Sequence, residues 1–489
     1  MILATLLLAA TFSRPLERVS TTDPAEAQSA YDARVVQLIY ESPLAIDYKA
    51  RPYKLAPGYC ELPEVSPDGR VYRFTVREAP RNAADMVRSL KRLYEPTCPN
   101  GWLVKDVESM AAADARTVEI RLKRRVRHFP WLMATPGACV VGADGSGTGP
   151  YVLTKWRKNH EMVFERKASS AAAAPSHFDF LRYLVIDDMS TQWLMFLRGE
   201  VDFLGEISRD NWDMVVGADG RLVPELAAKG VRLHLLEALE SPYVGFNMRD
   251  PVVGGNRKLR QALNCAFDYP AWERFYNRRI SESRGPVPPG VSERVDAPLP
   301  YRFDPVRAKG LLAEAGYPDG IDPKTGKRLE ITITVGRANQ TAREEVELMQ
   351  SFYNRIGIRL EPRYMTWNAY LDAVNRGDVT LFMLGWIGDY PDAENFLQLF
   401  HSKNVSPGAN HGNYRNAAFD KLYDEAMAST DPVVRSEKWR AAQEIVREDC
   451  PWIFLHFPKA YSLSWDHVGN YTPTDFPYGT EKHLFRKRD

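Results

Sequence analysis

Three acidic residues follow the apolar run Leu381–Trp386, which the sequence predicts to be a β-strand. They are Asp389, Asp392 and Glu394. Carboxylates in such a loop can bind a cationic group, and two that face a substrate can act as a hydrolytic pair. A solvated acidic loop is the plainest explanation of the same residues. The pattern therefore leaves a cation-binding site, a hydrolytic pair and a solvated loop open.

One arginine and several aromatic residues occupy similar positions after predicted strands. Arg337 ends the predicted strand 331–336, and its planar guanidinium suits bidentate binding of a carboxylate. Trp386 precedes the acidic loop, and Tyr364 and Trp367 lie on the next predicted strand-to-helix loop. We expect these aromatic side chains either to wall a ligand pocket or to fill the core.

The sequence gives little support for phosphate binding, metal binding or nucleophilic catalysis. The glycine-rich segment 145–149 resembles a phosphate-binding loop, but it enters a predicted strand and lacks a following Gly-Lys-Ser/Thr, so we expect a turn. The histidines and the five cysteines lack metal-ligand spacing, and Gly-x-Ser-x-Gly is absent from the sequence. We therefore predict no cofactor, no metal and no enzymatic activity, and the cysteine pattern selects no disulfide.

Length and charge narrow the class of protein. A chain of 489 residues is too long for one core, so two or three subdomains are expected. With 64 basic and 63 acidic residues, the net charge of +1 offers no basic surface for nucleic acid. Predicted helices and strands alternate throughout, which indicates an α/β architecture.

The predicted elements have clear periodicity. The predicted helices are 87–93, 190–197, 306–315, 344–356, 417–427 and 435–446. The predicted strands are 118–122, 151–154, 183–186, 231–236, 329–335, 358–362 and 381–386.

The first residues are apolar. We favour the interpretation of residues 1–19 as a secretory signal, and a first β-strand is the alternative. The apolar run at the start of this segment is too short to span a bilayer. If a signal is present, we expect cleavage after Ala10 or near Ser13. No cysteine lies near its end, so lipid attachment is not expected.

The order and spacing of several short segments resemble the dipeptide/oligopeptide-binding family (family 5) of bacterial ABC-importer solute-binding proteins. The segments, spread from about residue 20 to residue 465, are Asp23-Pro24, Val65–Gly69, Gly147–Tyr151 with Trp156, Leu197–Asp202, Tyr243–Asn247, Leu259–Asn264, Gly285–Gly290, Asp304–Gly320, Gly385–Asp389, Asn413-Tyr414 and Ala417–Asp420.

This resemblance implies an α/β fold, a two-lobed periplasmic-binding-protein clamshell with an accessory subdomain on lobe one. Lobe one would comprise residues 20–52, 148–247 and 463–489, the accessory subdomain residues 53–147, and lobe two residues 248–462. Two crossing strands near Asn247 and Ser462 would form the hinge.

The resemblance also implies roles for the candidate residues. Asp389, in the pattern Trp-x-Gly-Asp, would bind the amino group of a short peptide, and Arg337 would bind its carboxylate. Trp386, Trp367 and Tyr364 would wall the site, and Thr22 and Tyr40 of lobe one would contribute further contacts.

The implied protein is a periplasmic monomer that hands its ligand to a membrane-embedded ABC permease. A carboxylate-based hydrolase and a sensory receptor on the same fold are the alternatives. Within the binding class, nickel, an opine, haem or an antibiotic peptide are alternative ligands.

Overall fold

The computed structural model describes residues 10–16, 19–27, 29–77, 81–168, 177–208, 210–337 and 339–487. The chain divides into two compact units, of which the second is the continuous segment Glu237–Lys459. The first unit contains the residues up to Leu236 together with those from Ala460 onward. The chain thus passes from one unit to the other twice.

The described strands, labelled in chain order, are β1 Thr11–Leu16, β2 Leu44–Asp47, β3 Lys54–Pro57, β4 Glu64–Val65, β5 Val71–Thr75, β6 Val107–Ala112, β7 Thr117–Leu122, β8 Tyr151–Arg157, β9 Glu161–Arg166, β10 Phe180–Val185, β11 Phe203–Leu204, β12 Val231–Glu237, β13 Glu240–Phe246, β14 Ile280–Glu282, β15 Glu330–Val335, β16 Arg359–Tyr364, β17 Leu381–Ile387, β18 Trp452–Phe454, β19 His456–Trp465, β20 Val468–Gly469 and β21 Phe485–Arg486.

The described α-helices are α1 Ala30–Ile39, α2 Ala83–Lys91, α3 Phe129–Leu132, α4 Met189–Leu197, α5 Trp212–Val215, α6 Pro224–Ala228, α7 Arg257–Ala266, α8 Tyr269–Phe275, α9 Pro305–Glu314, α10 Gln340–Asn354, α11 Trp367–Arg376, α12 Ala393–Leu397, α13 Ala417–Ala428 and α14 Pro432–Asp449. Short 3₁₀ turns occupy Arg92–Tyr94, Gly101–Val104, Pro136–Ala138, Pro318–Gly320, Gln398–Phe400, Ser402–Asn404 and Thr480–His483.

The first unit contains a four-stranded sheet in the order β1-β10-β9-β8 and a second four-stranded sheet in the order β4-β5-β7-β6. Strand β1 runs parallel to β10, and Phe12 of β1 is buried against Phe178. Residues 11–16 are therefore a strand of this unit, whereas residues 1–9 of the predicted signal lie outside the described residues. Strands β4 to β7 lie within the predicted accessory subdomain, which stays a prediction.

A buried ion cluster joins distant parts of the first unit. Glu481 accepts hydrogen bonds from Arg14 of β1 and Arg34 of α1, and its side chain is almost fully buried. Burial opposes ionisation of Glu481, but the two guanidinium groups hold the pKa of this carboxyl below its usual value. A buried carboxylate needs such partners, so the C-terminal segment is fixed to the first strand.

The second unit is built on a five-stranded sheet in the order β16-β15-β17-β13-β18. Strand β15 runs parallel to both β16 and β17, while β13 runs antiparallel to β17 and β18. Ile331, Ile333 and Val335 of β15 are buried in a core to which α7, α9 and α10 also contribute. These three residues share one face of the strand because side chains alternate between the two faces of a sheet.

Side-chain caps explain where the helices of the second unit begin. The Asp304 carboxylate accepts from Arg307 N–H at the start of α9, with Pro305 in the first turn. Asn339 caps α10 and Asn416 caps α13 in the same way. Such caps satisfy backbone donors that have no partner within the helix.

The predicted helices and strands are observed, with ends shifted by a few residues. The chain reverses at residues 142–145, where Gly145 N–H donates to Gly142 C=O, and Val141 then pairs antiparallel with Gly147 before β8 begins. The predicted lobe bounds stay a prediction; the two compact units divide the chain elsewhere, with residues 460–462 in the first unit and residues 237–247 in the second. The physical reason is that β13 pairs with β17 and β18 along most of its length.

All five cysteines are free thiols in the described structure. Among the residues that the structure describes, we find no helix with the length and apolar character that a membrane span requires.

Candidate functional site

The candidate residues of the second unit lie at one edge of its sheet. Because β15, β16 and β17 are mutually parallel, their carboxyl ends meet at the same edge. Arg337 follows β15, Tyr364 ends β16, and Asp389 follows β17. Ligands of open α/β sheets bind preferentially outside the carboxyl ends of the strands, so this edge is the candidate site.

The antiparallel strands bring further polar groups to this edge. Glu240 begins β13 and is paired with Ile387, near the end of β17. Strand β18 runs antiparallel to β13, so His456, which follows it, lies at the same edge.

A cavity of about 360 Å³ opens at this edge, entirely within the second unit. Its lining includes the charged side chains Glu240 and Arg337, and also Trp272, Tyr276, Trp367 and His456. Of the predicted residues, Arg337 and Trp367 line the cavity, whereas Asp389, Trp386 and Tyr364 are not part of its lining.

Arg337 is anchored on one side and exposed on the other. Its guanidinium donates to Glu345 Oε2, and the Tyr276 hydroxyl donates to Glu345 Oε1. The Glu345 side chain is 1% exposed and that of Arg337 is 50% exposed. Burial and the neighbouring Glu345 raise the pKa of Tyr276 above its usual value, so the phenol stays a donor. The guanidinium is therefore oriented by a buried carboxylate, while half of it remains accessible.

His456 contributes a neutral imidazole to the lining. Its Nδ1 accepts a hydrogen bond of 3.1 Å from the indole N–H of Trp272. Burial, together with the positive charge of Arg337, lowers the pKa of His456 to about 3. The ring is thus uncharged at neutral pH and offers an acceptor to Trp272 but no positive charge to a ligand.

The two aromatic candidates of the β16–α11 segment differ in exposure. Trp367, the first residue of α11, is 54% exposed and packs on Tyr370 at a ring separation of 5.7 Å. Tyr364 is half-buried, with the guanidinium of Arg343 at 4.9 Å from its ring centre. Of these two residues, Trp367 lines the cavity and Tyr364 does not.

Asn395 organises the loop that carries Asp389. Its Oδ1 accepts from Trp386 Nε1 at 2.9 Å and from Asp389 N–H at 3.1 Å, and its Nδ2 donates to Asp389 Oδ2 at 3.1 Å. Asn395 is buried and Asp389 is exposed. The Asp389 carboxylate is therefore held at the sheet edge with access to solvent.

The other two acids of this loop have structural partners. Asp392 caps α12, and both of its carboxylate oxygens accept from Arg435 at 2.7 Å. Glu394 is buried and accepts hydroxyl hydrogen bonds from Tyr390 and Tyr423. These contacts argue against a hydrolytic pair and leave Asp389 as the exposed acid of the three.

The two weaker candidates belong to the first unit. Thr22 lies half-buried in the loop before α1, and Tyr40 directly follows that helix. Burial raises the pKa of Tyr40 above its usual value.

Sequence reasoning missed Glu240, Tyr276, Glu345 and His456. Glu345 had a detectable signal, because it shares the buried face of α10 with Met349 and Phe352, and an acid on an apolar helix face requires a partner. Glu240 begins a strand without any motif of its own, so only the pairing of β13 with β17 reveals it.

Within the described ranges, no group of three or more His, Cys, Asp or Glu side chains is arranged to hold a metal ion.

Comparison with known proteins gives consistent results. Residues 54–407 match the model of the bacterial extracellular solute-binding proteins, family 5. The chain is 25% identical over 478 residues to heme-binding protein A of Haemophilus influenzae, covering 88% of this chain and 84% of the relative. It is also 25% identical over 472 residues to the glutathione-binding protein GsiB of Escherichia coli K12, covering 91% and 88%.

Solved structures share the fold. HbpA2 from Haemophilus parasuis matches with a TM-score of 0.85 and 22% identity, covering 98% of this chain and 100% of the other. The unliganded open form of the periplasmic murein tripeptide binding protein MppA matches with a TM-score of 0.82 and 20% identity, covering 98% of both chains.

These relatives are solute-binding proteins and not enzymes. The chain therefore belongs to the bacterial extracellular solute-binding proteins of family 5, which deliver a ligand to an ABC importer.

Proposed function

We propose that this protein binds a short peptide in the periplasm as a monomer and passes it to a membrane-embedded ABC permease. The observation that carries the proposal is the cavity at the carboxyl edge of the second unit, where the half-exposed guanidinium of Arg337 lies among aromatic side chains. The periplasmic location is supported by the extracellular character of the family.

The chemistry of a peptide fits this edge of the sheet. A free peptide carries a carboxylate and an ammonium group, and both need partners of opposite charge when they leave water. Arg337 is the partner we propose for the carboxylate, and the exposed Asp389 is the partner we propose for the ammonium group. Trp367 would cover an apolar part of the ligand, and Trp386, Tyr364, Thr22 and Tyr40 stay predicted contacts.

Relatives named for glutathione and murein tripeptide binding support a peptide-like ligand. Another relative is named for heme, and the structure of NikA from Brucella suis, which holds Fe(III)-EDTA, matches with a TM-score of 0.82. Haem and nickel are therefore the alternatives to test first, and an opine and an antibiotic peptide stay open as further ligands.

The decisive experiment is mass spectrometry of the small molecules that co-purify with the protein, followed by calorimetry. Di- and tripeptides, glutathione, haem and Ni²⁺ would be titrated separately into ligand-free protein. We expect peptides to bind with micromolar or tighter affinity. Binding of haem or Ni²⁺ alone, with no peptide binding, would contradict the proposal.

A further inference from the structure

A second cavity of the second unit, of about 270 Å³, lies on the opposite face of β15 from the core. Thr332 and Thr334 line this cavity, and they alternate along the strand with Ile331 and Ile333, which are buried in the core. Among the described residues, none belongs both to this lining and to that of the cavity at the carboxyl edge. The second cavity is therefore a separate candidate site.

Two guanidinium groups reach this cavity from different elements. Arg363 of β16 lines it and donates from Nη2 to the backbone oxygen of Asp378 at 2.6 Å. Arg249 follows β13 and also lines it, and a Cβ atom built on Gly377 would lie 3.7 Å from Arg249 Nη1. Both exposed arginines thus lie against the same short segment of chain. In the part of the chain that the structure describes, neither forms an ion pair with a carboxylate.

The two carboxylates of the lining are engaged by other donors. Asp250 accepts hydrogen bonds from two backbone N–H groups and from the Thr380 hydroxyl, at distances of 2.7 to 3.1 Å. Asp378 accepts from Arg376 Nε at 2.8 Å. When Arg376 is counted with the lining, three guanidinium groups face two carboxylates, which leaves one positive charge in excess. This balance favours an anionic ligand.

Thr334 contributes a buried hydroxyl group to the same cavity. The residue is 0% exposed, and its Oγ1 has no hydrogen-bond partner among the described residues. A buried hydroxyl without a partner is unfavourable. An oxygen atom of a bound anion would supply the acceptor that this hydroxyl lacks.

We infer that this cavity binds a phosphate group. A phosphate group carries a charge of about −1.5 to −2 near neutral pH and has at least three acceptor oxygens. It can therefore accept from Arg249, Arg363 and the Thr334 hydroxyl at once, whereas a carboxylate has two oxygens that a single guanidinium can satisfy. The phosphate site is independent of the proposed peptide site.

Calorimetry with inorganic phosphate and with succinate tests this site. The proteins compared are the parent, Arg249→Gln, Arg363→Gln and the control Arg359→Gln, which removes the same charge from β16 at a position already paired with Glu330 and Glu361. We expect the parent to bind phosphate with submillimolar affinity and succinate more weakly. The first two substitutions should each weaken phosphate binding about 10-fold or more, because each removes charge-assisted hydrogen bonds, and the control should change it less than about 3-fold.

Thr334→Val provides an independent measurement, because valine keeps the shape of the side chain and removes the hydroxyl. Without phosphate, the melting temperature of this variant should equal or exceed that of the parent. Saturating phosphate should raise it less than it raises that of the parent. An equal rise in the two proteins would overturn the contact with Thr334. The site itself is overturned if the parent does not bind phosphate, if succinate binds more tightly, or if all three arginine variants lose affinity equally.

Discussion

Replacing Arg337 by methionine would test the carboxylate site most directly, because methionine keeps an unbranched side chain and removes the charge. The guanidinium is 50% exposed, so its pairing with a ligand carboxylate is partly screened by water. A charge-assisted hydrogen bond contributes about 1.5–3 kcal/mol. For this half-exposed group we expect a loss near 2 kcal/mol, or about 30-fold in affinity.

The same substitution affects the stability of the second unit. In Arg337→Met the carboxylate of Glu345, which is 1% exposed, keeps the hydrogen bond from the Tyr276 hydroxyl and loses the one from the guanidinium. A buried acceptor that loses a partner costs about 1–3 kcal/mol. The double variant Arg337→Met, Glu345→Gln removes the buried charge as well and should recover part of this loss.

Calorimetry with a peptide and its C-terminal amide separates the two effects. We expect Arg337→Met to lose about 30-fold in affinity for the free acid and less than 3-fold for the amide. Thermal melting of the single and double variants measures the stability term independently. An equal loss for the acid and the amide would refute the assignment of Arg337 as the carboxylate partner.

Three further outcomes are expected. Asp389→Asn should weaken the binding of peptides with a free amino group about 10-fold or more and leave the binding of N-acetylated peptides unchanged. Calorimetry measures both affinities, with the exposed Asp319→Asn as the control variant. Equal effects of the two variants would count against the ammonium site. Asp392→Ala removes a helix cap and one of the two carboxylates that pair with Arg435, while Glu293 stays as its partner. The free energy of unfolding in urea should therefore fall by about 2 kcal/mol, with little change in peptide affinity at temperatures where the variant is folded. The pKa of His456 is about 3 in the folded protein, and an unfolded histidine titrates near 6.5, so the unfolded state binds the extra proton first as the pH falls. The free energy of unfolding should therefore drop between about pH 6.5 and pH 3, by up to about 1.4 kcal/mol per pH unit for this group. The urea midpoint of His456→Gln should decline less steeply with falling pH than that of the parent protein. Identical pH profiles of the two proteins would show that His456 is not responsible.

The sequence predicted the elements well where periodicity and caps act together. The helix that begins after Asp304 is an example, because the capping aspartate and Pro305 fix its start independently of the rest of the fold. The compact second unit begins at Glu237, before the predicted bound near Asn247, because β13 joins that unit by pairing with β17 and β18, and pairing between strands far apart in the chain leaves no local signal.

The site was only partly predictable for a related reason. The position of Arg337 after a strand could be read from the sequence, but its anchor Glu345 lies on a helix and depends on tertiary contact. Likewise, charge and position in the loop do not distinguish Asp389, Asp392 and Glu394, and the family resemblance alone singled out Asp389. Partners from distant segments, Arg435 and Tyr423, distinguish the two structural acids from the exposed one.

The cluster of Arg14, Arg34 and Glu481 has a consequence for how the chain acquires its structure. The second unit is one uninterrupted segment, so all of its internal partners emerge before the last part of the chain does. The first unit needs residues from both ends, and Arg14 and Arg34 lack their carboxylate until Glu481 arrives. Domains generally fold as units in the order in which they are made. For this protein we expect the reverse order, with the unit that begins the chain completed last.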